Sequence, residues 1–217
     1  MKKKNWNGLI VSVILFLTFV VWTWLVRSVD VRAIGPQNSS VGFAALNEFV
    51  HSVTGVNMTL YTLTDWLGLV PIFVALGFAL LGLVQWILRR SFLGVDRSIL
   101  VLGGFYIAVM AVYVLFEVIC INYRPVLIEG YLEASYPSST TLLTMCVMPT
   151  AAMQLYTRIQ NRILRNIRTA LIIFFTAFMA IGRLVSGVHW VTDIIGGMII
   201  SASLVIAYSS IVKLTDR

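Results

Sequence analysis

Apolar residues in this chain come in long unbroken runs separated by short polar punctuation. Most of the chain shows neither the alternation of a half-buried strand nor the narrow stripe of a soluble helix. Instead, stretches close to the ~20 residues a helix needs to cross a bilayer recur along it. They fall at 8–26, 66–88, 98–121, 138–157, 169–186 and 191–212, the fourth and fifth with polar residues at their outer ends. The pattern predicts an all-α integral membrane protein, a bundle of six transmembrane helices. Residues 1–217 then form one membrane-embedded domain with no separate soluble part. Between the first two runs lies the longest polar-punctuated stretch, 27–64. It opens on the loop sequence AIGPQNSS and continues through GFAALNEFVHSV, where Phe43, Leu46, Phe49 and Val50 recur at helical spacing. That spacing predicts an amphipathic helix lying on the membrane surface.

Composition agrees with the bilayer as solvent. Hydrophobic residues make up 59% of the 217 and charged residues 12%, about half the share of a soluble domain, and the mean hydropathy is +0.91. The apolar run behind MKKKNW is too long for the core of a secretory signal, and no small-residue cleavage site ends it. It is expected to remain as the first helix. Cys120 and Cys146 both fall inside predicted spans, so neither a disulfide framework nor a zinc cluster is indicated.

Charge sets the expected orientation. Counting the loops alternately, one side holds Lys2, Lys3, Lys4, Arg89, Arg90, Arg97, Arg158, Arg162, Arg165, Arg168, Lys213 and Arg217. The other holds Arg27, Arg32, Arg124 and Arg183. Basic residues concentrate on the cytoplasmic side of membrane proteins, so both termini are expected in the cytoplasm of a multi-pass cell-membrane protein. The net charge of +7 is then a topology signal. It does not point to nucleic acid, because no soluble basic surface exists to bind it.

The opposite, extracytoplasmic face collects chemistry. Arg124 follows the third run in NYRPV, YPSSTT (136–141) opens the fourth, Arg183 ends the fifth, and His189 and Asp193 open the sixth. Charges at membrane depth are costly and usually functional. His189 and Asp193 are four residues apart, a spacing that puts both on one helix face and lets a carboxylate orient an imidazole. Two guanidinium forks suit phosphate oxygens. Ser138, Ser139 and Thr140 at a helix start offer hydroxyls and free N–H groups that favour an anion. Together these describe a phosphate site with a nucleophile.

The three segments resemble the signature motifs of the type 2 phosphatidic acid phosphatase family, the lipid phosphate phosphatases. That family shows Lys-x6-Arg-Pro, Pro-Ser-Gly-His and Ser-Arg-x5-His-x3-Asp. This chain has Arg124-Pro125, Pro137-Ser138 and Arg183-x5-His189-x3-Asp193, all within 98–197. The resemblance implies a helical bundle in which His189 attacks phosphorus and forms a phosphohistidine. Asp193 would orient its ring, and Arg124, Arg183 and Ser138 would bind phosphate, with no metal or other cofactor. It implies a lipid phosphate as partner: phosphatidic acid, phosphatidylglycerol phosphate or a polyprenyl diphosphate.

Three positions depart from the family pattern. Glu117 stands in place of the lysine, Ser139-Thr140 replaces Gly-His, and Gly182 replaces the serine. A backbone amide can stand in for the serine hydroxyl, and Ser139 leaves a helix start able to hold an anion. Thr140 is the serious change, since a hydroxyl of such high pKa cannot act as a general acid near neutral pH. The gap favours a diphosphate, whose phosphoanhydride leaves with less protonation than an alkoxide. Glu117 lies seven residues before Arg124, so on a continuous helix the two would share a face. It is expected either to donate the missing proton or to clamp Arg124.

Taken singly, each residue has a plainer reading. His189 is an interfacial histidine bonded to Asp193, the arginines are snorkelling anchors, and Ser138–Thr141 is an ordinary N-cap. His51 sits on the polar face of the surface helix, and Trp22, Trp24, Trp66 and Trp190 form an interfacial belt. Two other functions remain open at this level: a family member that binds lipid phosphates without turnover, and a small transporter. The retained His189–Asp193 pair argues against the first, and the clustering of charge at one face against the second. Oligomeric state has no signal in the sequence.

Overall fold

The computed structural model describes residues 6–215; Lys2, Lys3, Lys4 and Arg217 of the charge count lie outside them. Among the described residues eight α-helices follow one another: α1 (Asn7–Ser28), α2 (Ala44–Thr54), α3 (Met58–Leu67), α4 (Leu69–Arg89), α5 (Arg97–Val118), α6 (Ser139–Arg158), α7 (Arg162–Val185) and α8 (Val191–Thr215). Among the described residues the extended backbone amounts to isolated bridges in two loops. Five helical stretches are long and apolar enough to cross a membrane: α1, α3 with α4, α5, α7 and α8.

The expected fourth span is α6, and its composition differs for a physical reason. It packs against α4, α5, α7 and α8, so its sides meet protein where the other helices meet lipid. Thr141, Thr144, Thr150 and Gln154 are buried along it. Thr150 donates to the Cys146 carbonyl at 2.8 Å and Gln154 to the Tyr208 hydroxyl at 2.6 Å. Polar side chains survive inside a membrane bundle when each finds such a partner. Around this axis, α1 and α8 lie together along much of their length, and Ser12 and Ser203 each donate to the other's carbonyl at 2.9 Å. Small residues at that seam let the backbones approach.

Several expectations need correction. Helix α5 ends at Val118, three residues short of the predicted boundary, so Arg124 is not on it and shares no helix face with Glu117. Helix α7 starts at Arg162, seven residues before the predicted start, because its first turns carry arginines that masked the apolar run. The surface helix is present as α2, yet Asn47 on it is fully buried, donating to the Gly42 carbonyl at 2.7 Å and to Thr192 Oγ1 at 3.0 Å. That residue docks α2 on the first turn of α8. Trp190 is buried, with its indole N–H on the Tyr123 carbonyl at 2.7 Å, and Trp22 donates to the Thr192 carbonyl at 3.2 Å. Only Trp24 and Trp66 of the expected belt are well exposed.

The chain is pinned just before α6. Tyr136 is buried against Phe19 and Phe116, with ring centroids 6.2 and 5.9 Å away. Its hydroxyl meets Thr23 Oγ1 at 2.7 Å. The segment 134–138 is thereby held to α1 and α5 at the end of the bundle where α7 turns into α8. The opposite end is tied by Asp96, which accepts from Arg89 and Gln85 at 2.8 Å each and lies 3.6 Å from Arg158.

Candidate active site

The turn between α7 and α8 is built by its own backbone. Ser186 ends α7, Gly187 takes a left-handed φ of 70°, and α8 begins at Val191. Asp193, in the first turn of α8, accepts from the Trp190 N–H at 2.9 Å through Oδ2. This is the back-bond a third-position acid makes to a helix N-cap. Its other oxygen accepts from Asn122 at 3.3 Å. His189 therefore projects from a turn whose far side is locked by Asp193. The direct distance from His189 Nδ1 to Asp193 Oδ2 is 3.8 Å, beyond a hydrogen bond. The plain reading of His189 as bonded to Asp193 is thus not met: the carboxylate bonds the turn backbone and lies behind the ring.

The other ring nitrogen faces the arginines. His189 Nε2 lies 3.5 Å from Arg124 Nη1 and 3.4 Å from Arg183 Nη2. All three side chains are buried. Burial first, then the charges of Arg124 and Arg183, hold the imidazole pKa well below its ordinary value of 6.5. Protonation would put a third cation into a desolvated cluster. Nε2 thus keeps its lone pair, and it opens onto two guanidiniums. Arg124 Nε, Arg183 Nε and His189 Nδ1 are buried without hydrogen-bond partners.

Arg124 reaches this point from a hairpin-like loop after α5. Its N–H donates to the Glu133 carbonyl at 3.0 Å, and the Ser135 N–H donates to the Asn122 carbonyl at 2.9 Å. Pairing across this loop sets Glu133 Oε2 3.0 Å from Arg124 Nε, close enough for an ion pair though out of line with the N–H. Arg183, at the end of α7, lies with Nη1 3.4 Å from Asp65 Oδ1. The Tyr61 ring sits beneath both cations, 4.9 Å from Arg183 Cζ and 6.0 Å from Arg124 Cζ. Helix α3, which supplies Tyr61 and Asp65, can come this close because Gly182 has no side chain. A Cβ there would meet the Thr64 methyl at 2.8 Å.

The remaining sequence candidates take up positions around this core. Ser138 is fully buried. Its hydroxyl accepts from Thr141 at 3.1 Å and its N–H donates to the Asp193 carbonyl at 3.2 Å. It joins the α6 start to the α8 start, and its side chain does not cap the first-turn N–H groups of α6. The Thr140 methyl packs near Gly68, at the end of α3. Glu117 lines a small cavity with Tyr113, Ser135, Pro137 and Ser139. The carboxylates set against the arginines are Glu133 and Asp65.

A model of the PAP2 superfamily matches residues 118–216. Over that span the chain is similar to the PAP2 superfamily. The matched segment contains Arg124, Arg183, His189 and Asp193, whereas α3, with Tyr61 and Asp65, lies before it. The whole fold is similar to the crystal structure of a transmembrane PAP2-type phosphatidylglycerolphosphate phosphatase from Bacillus subtilis. The TM-score is 0.62 at 19% identity, over 95% of this chain and 98% of that one. No curated protein sequence matches this chain.

Five residues at the site were not singled out from the sequence: Tyr61, Asp65, Asn122, Glu133 and Ser135. Asp65 carried a signal, since a carboxylate at the mouth of an apolar run marks function by the same rule that flagged Arg183. Tyr61 stands four residues before it, on the same helix face. Asn122, Glu133 and Ser135 act through loop pairing, which leaves no periodic trace. His51, expected on a polar face, is half-buried, with Nε2 3.1 Å from the Gly187 carbonyl, where it braces the turn that carries His189.

Proposed function

We propose that this protein is a membrane phosphatase that hydrolyses lipid-linked phosphates through a phosphohistidine on His189, at the extracytoplasmic interface of a six-span bundle. The observation that carries the reading is Nε2 of His189 set between two guanidiniums at 3.5 and 3.4 Å. A phosphoryl group bound to Arg124 and Arg183 would lie against that lone pair. The arginines would neutralise its oxygens and stabilise the charge of the transition state. Asp193, fixed by Trp190 and Asn122, supports the ring from behind, and the first-turn amides of Ser139 and Thr140 add donors. Charge binding to the phosphate would offset the guanidinium field, so the imidazole tolerates positive character as the P–N bond forms.

The amphiphilic setting favours a substrate whose headgroup stays wet while its chain remains in lipid. Phosphatidic acid, phosphatidylglycerol phosphate and polyprenyl diphosphates share that form, and the B. subtilis protein similar in fold acts on a phosphatidylglycerolphosphate. Thr140 offers no acid for an alkoxide leaving group, which favours the diphosphate. The test is phosphate release by purified protein from a panel of lipid mono- and diphosphates, with and without EDTA. Release that survives EDTA and disappears in His189→Ala supports the reading. Undiminished release in His189→Ala removes it.

A further inference from the structure

Hydrolysis through a phosphohistidine needs a second step, in which water must lose a proton as it attacks phosphorus. The residues that build the first step offer no base for it. Asp193 is fully buried behind the ring, with both oxygens occupied by Trp190 and Asn122. His189 Nε2 carries the phosphoryl group at that stage. Thr140 is a hydroxyl, and Glu117 lines a small cavity with Tyr113, Ser135, Pro137 and Ser139, while the ion pairs of the two arginines are with Glu133 and Asp65.

Asp65 is placed differently. The Arg183 guanidinium presents Nη2 to His189 Nε2 at 3.4 Å and Nη1 to Asp65 Oδ1 at 3.4 Å. One planar fork therefore separates nucleophile from carboxylate. A phosphoryl group bound along that fork has His189 at one side and Asp65 at the other. In-line displacement requires water to enter opposite the P–N bond, the side where the leaving group departed. The Asp65 side chain is 58% exposed while that of Arg183 is 1% exposed, so the carboxylate stands where the buried site meets water. The end of α3 that carries it lies near Thr140, whose methyl a Cβ at Gly68 would meet at 3.5 Å, and Gly182 admits the helix.

Resting on the phosphatase reading above, we infer that Asp65 is the general base for hydrolysis of the phosphohistidine. In the first step the Nε2 lone pair forms the P–N bond, the bridging P–O bond breaks, and the departing oxygen keeps the electron pair. In the second, the water oxygen bonds to phosphorus, its proton passes to the Asp65 carboxylate, and the P–N electrons return to Nε2. The proton then leaves to bulk water from the exposed carboxylate. The balance is one water consumed and one inorganic phosphate released.

The test uses full-length protein in detergent and farnesyl diphosphate radiolabelled at its terminal phosphorus, with rapid quench. Asp65→Asn should release farnesyl monophosphate in a burst near one per site, accumulate alkali-stable, acid-labile phosphohistidine, and turn over about a hundredfold more slowly. Asp65→Glu should restore part of the steady-state rate. Glu133→Gln, a change at the other arginine, should raise KM without phosphoenzyme accumulation. If Asp65→Asn lowers burst and steady state together, or raises KM alone, the residue only positions Arg183 and the inference falls. An unchanged rate also sinks it. If wild-type protein turns over without any trapped phosphohistidine that the slow variant can accumulate, the covalent mechanism itself has failed, and the base with it.

Discussion

At the scale of single residues, the question is how one imidazole stays neutral beside two cations. Desolvation and the guanidiniums both disfavour the imidazolium of His189, so its folded-state pKa lies below that of the unfolded chain. Two outcomes follow. Phosphate release should hold its kcat/KM as pH falls through 6.5, where an unperturbed histidine would begin to lose nucleophile; a pH–rate profile falling with a midpoint at 6.5 would contradict the geometry. The stability consequence has the same sign. Below 6.5 the unfolded chain binds a proton that the folded one refuses, so stability present above that pH declines as pH falls towards the folded value. Thermal unfolding in detergent between pH 7 and pH 5 should show a smaller loss for His189→Ala than for wild type. On activity, His189→Ala should cost on the order of 10³-fold or more. Asp193→Asn should cost less, about 10- to 100-fold, because its carboxylate supports the ring without bonding to phosphorus.

At the scale of elements, the site depends on two irregular connections holding fixed shapes. Gly187 adopts a φ of 70°, and a Cβ there would meet the Gly55 carbonyl oxygen at 1.8 Å. The Gly55–Asn57 strap crosses the His189 turn at this point, with the Asn57 N–H donating to the Ser186 carbonyl at 3.0 Å. Gly187→Ala should therefore displace the strap and the turn together. The left-handed backbone alone costs about 1–2 kcal/mol with a side chain, and the backbone clash adds to it. The expected result is a lower melting temperature and at least tenfold lower activity with KM and kcat both altered. Activity equal to wild type would show that the strap does not set the turn. The α5–α6 loop is the second connection. Its cross-loop pairs place Arg124 and Asn122 on the site, so their effect reaches His189 and Asp193 from a segment with no helix of its own.

At the scale of the whole molecule, the decisive property is which end of the bundle faces outward. The basic residues of the α4–α5 and α6–α7 connections, Arg89, Arg90, Arg97, Arg158 and Arg162, lie at the end opposite His189. Under the positive-inside rule, the proposed orientation has the site facing outward. In a Cys120→Ser background, Ser40→Cys should label with a membrane-impermeant thiol reagent in intact cells and Gln160→Cys should label only after lysis. The reverse pattern would put the site in the cytoplasm and change which leaflet supplies substrate.

The sequence by itself determined the parts governed by local physics. Long apolar runs have one solution in a bilayer, helices that satisfy their own backbone, so the all-helical class and most helix boundaries were legible. So were the four charged or titratable residues that the structure brings together: Arg124, Arg183, His189 and Asp193. Ser138, a cap by pattern, makes no side-chain cap bond and instead ties the α6 start to Asp193 through its N–H. The tertiary structure alone decided the rest. Whether Glu117 or Glu133 meets Arg124 turns on α5 ending at Val118, which no spacing reveals. That α3 brings Tyr61 and Asp65 under the arginines depends on Gly182 having no Cβ to keep it away. His51 and Asn47, polar residues on a surface helix by periodicity, became braces because the other side of α2 found the α7–α8 turn. Periodicity reports which faces of an element are polar. It says nothing of which loop or helix will be packed against them, because that choice is made by close approach between segments far apart in the chain.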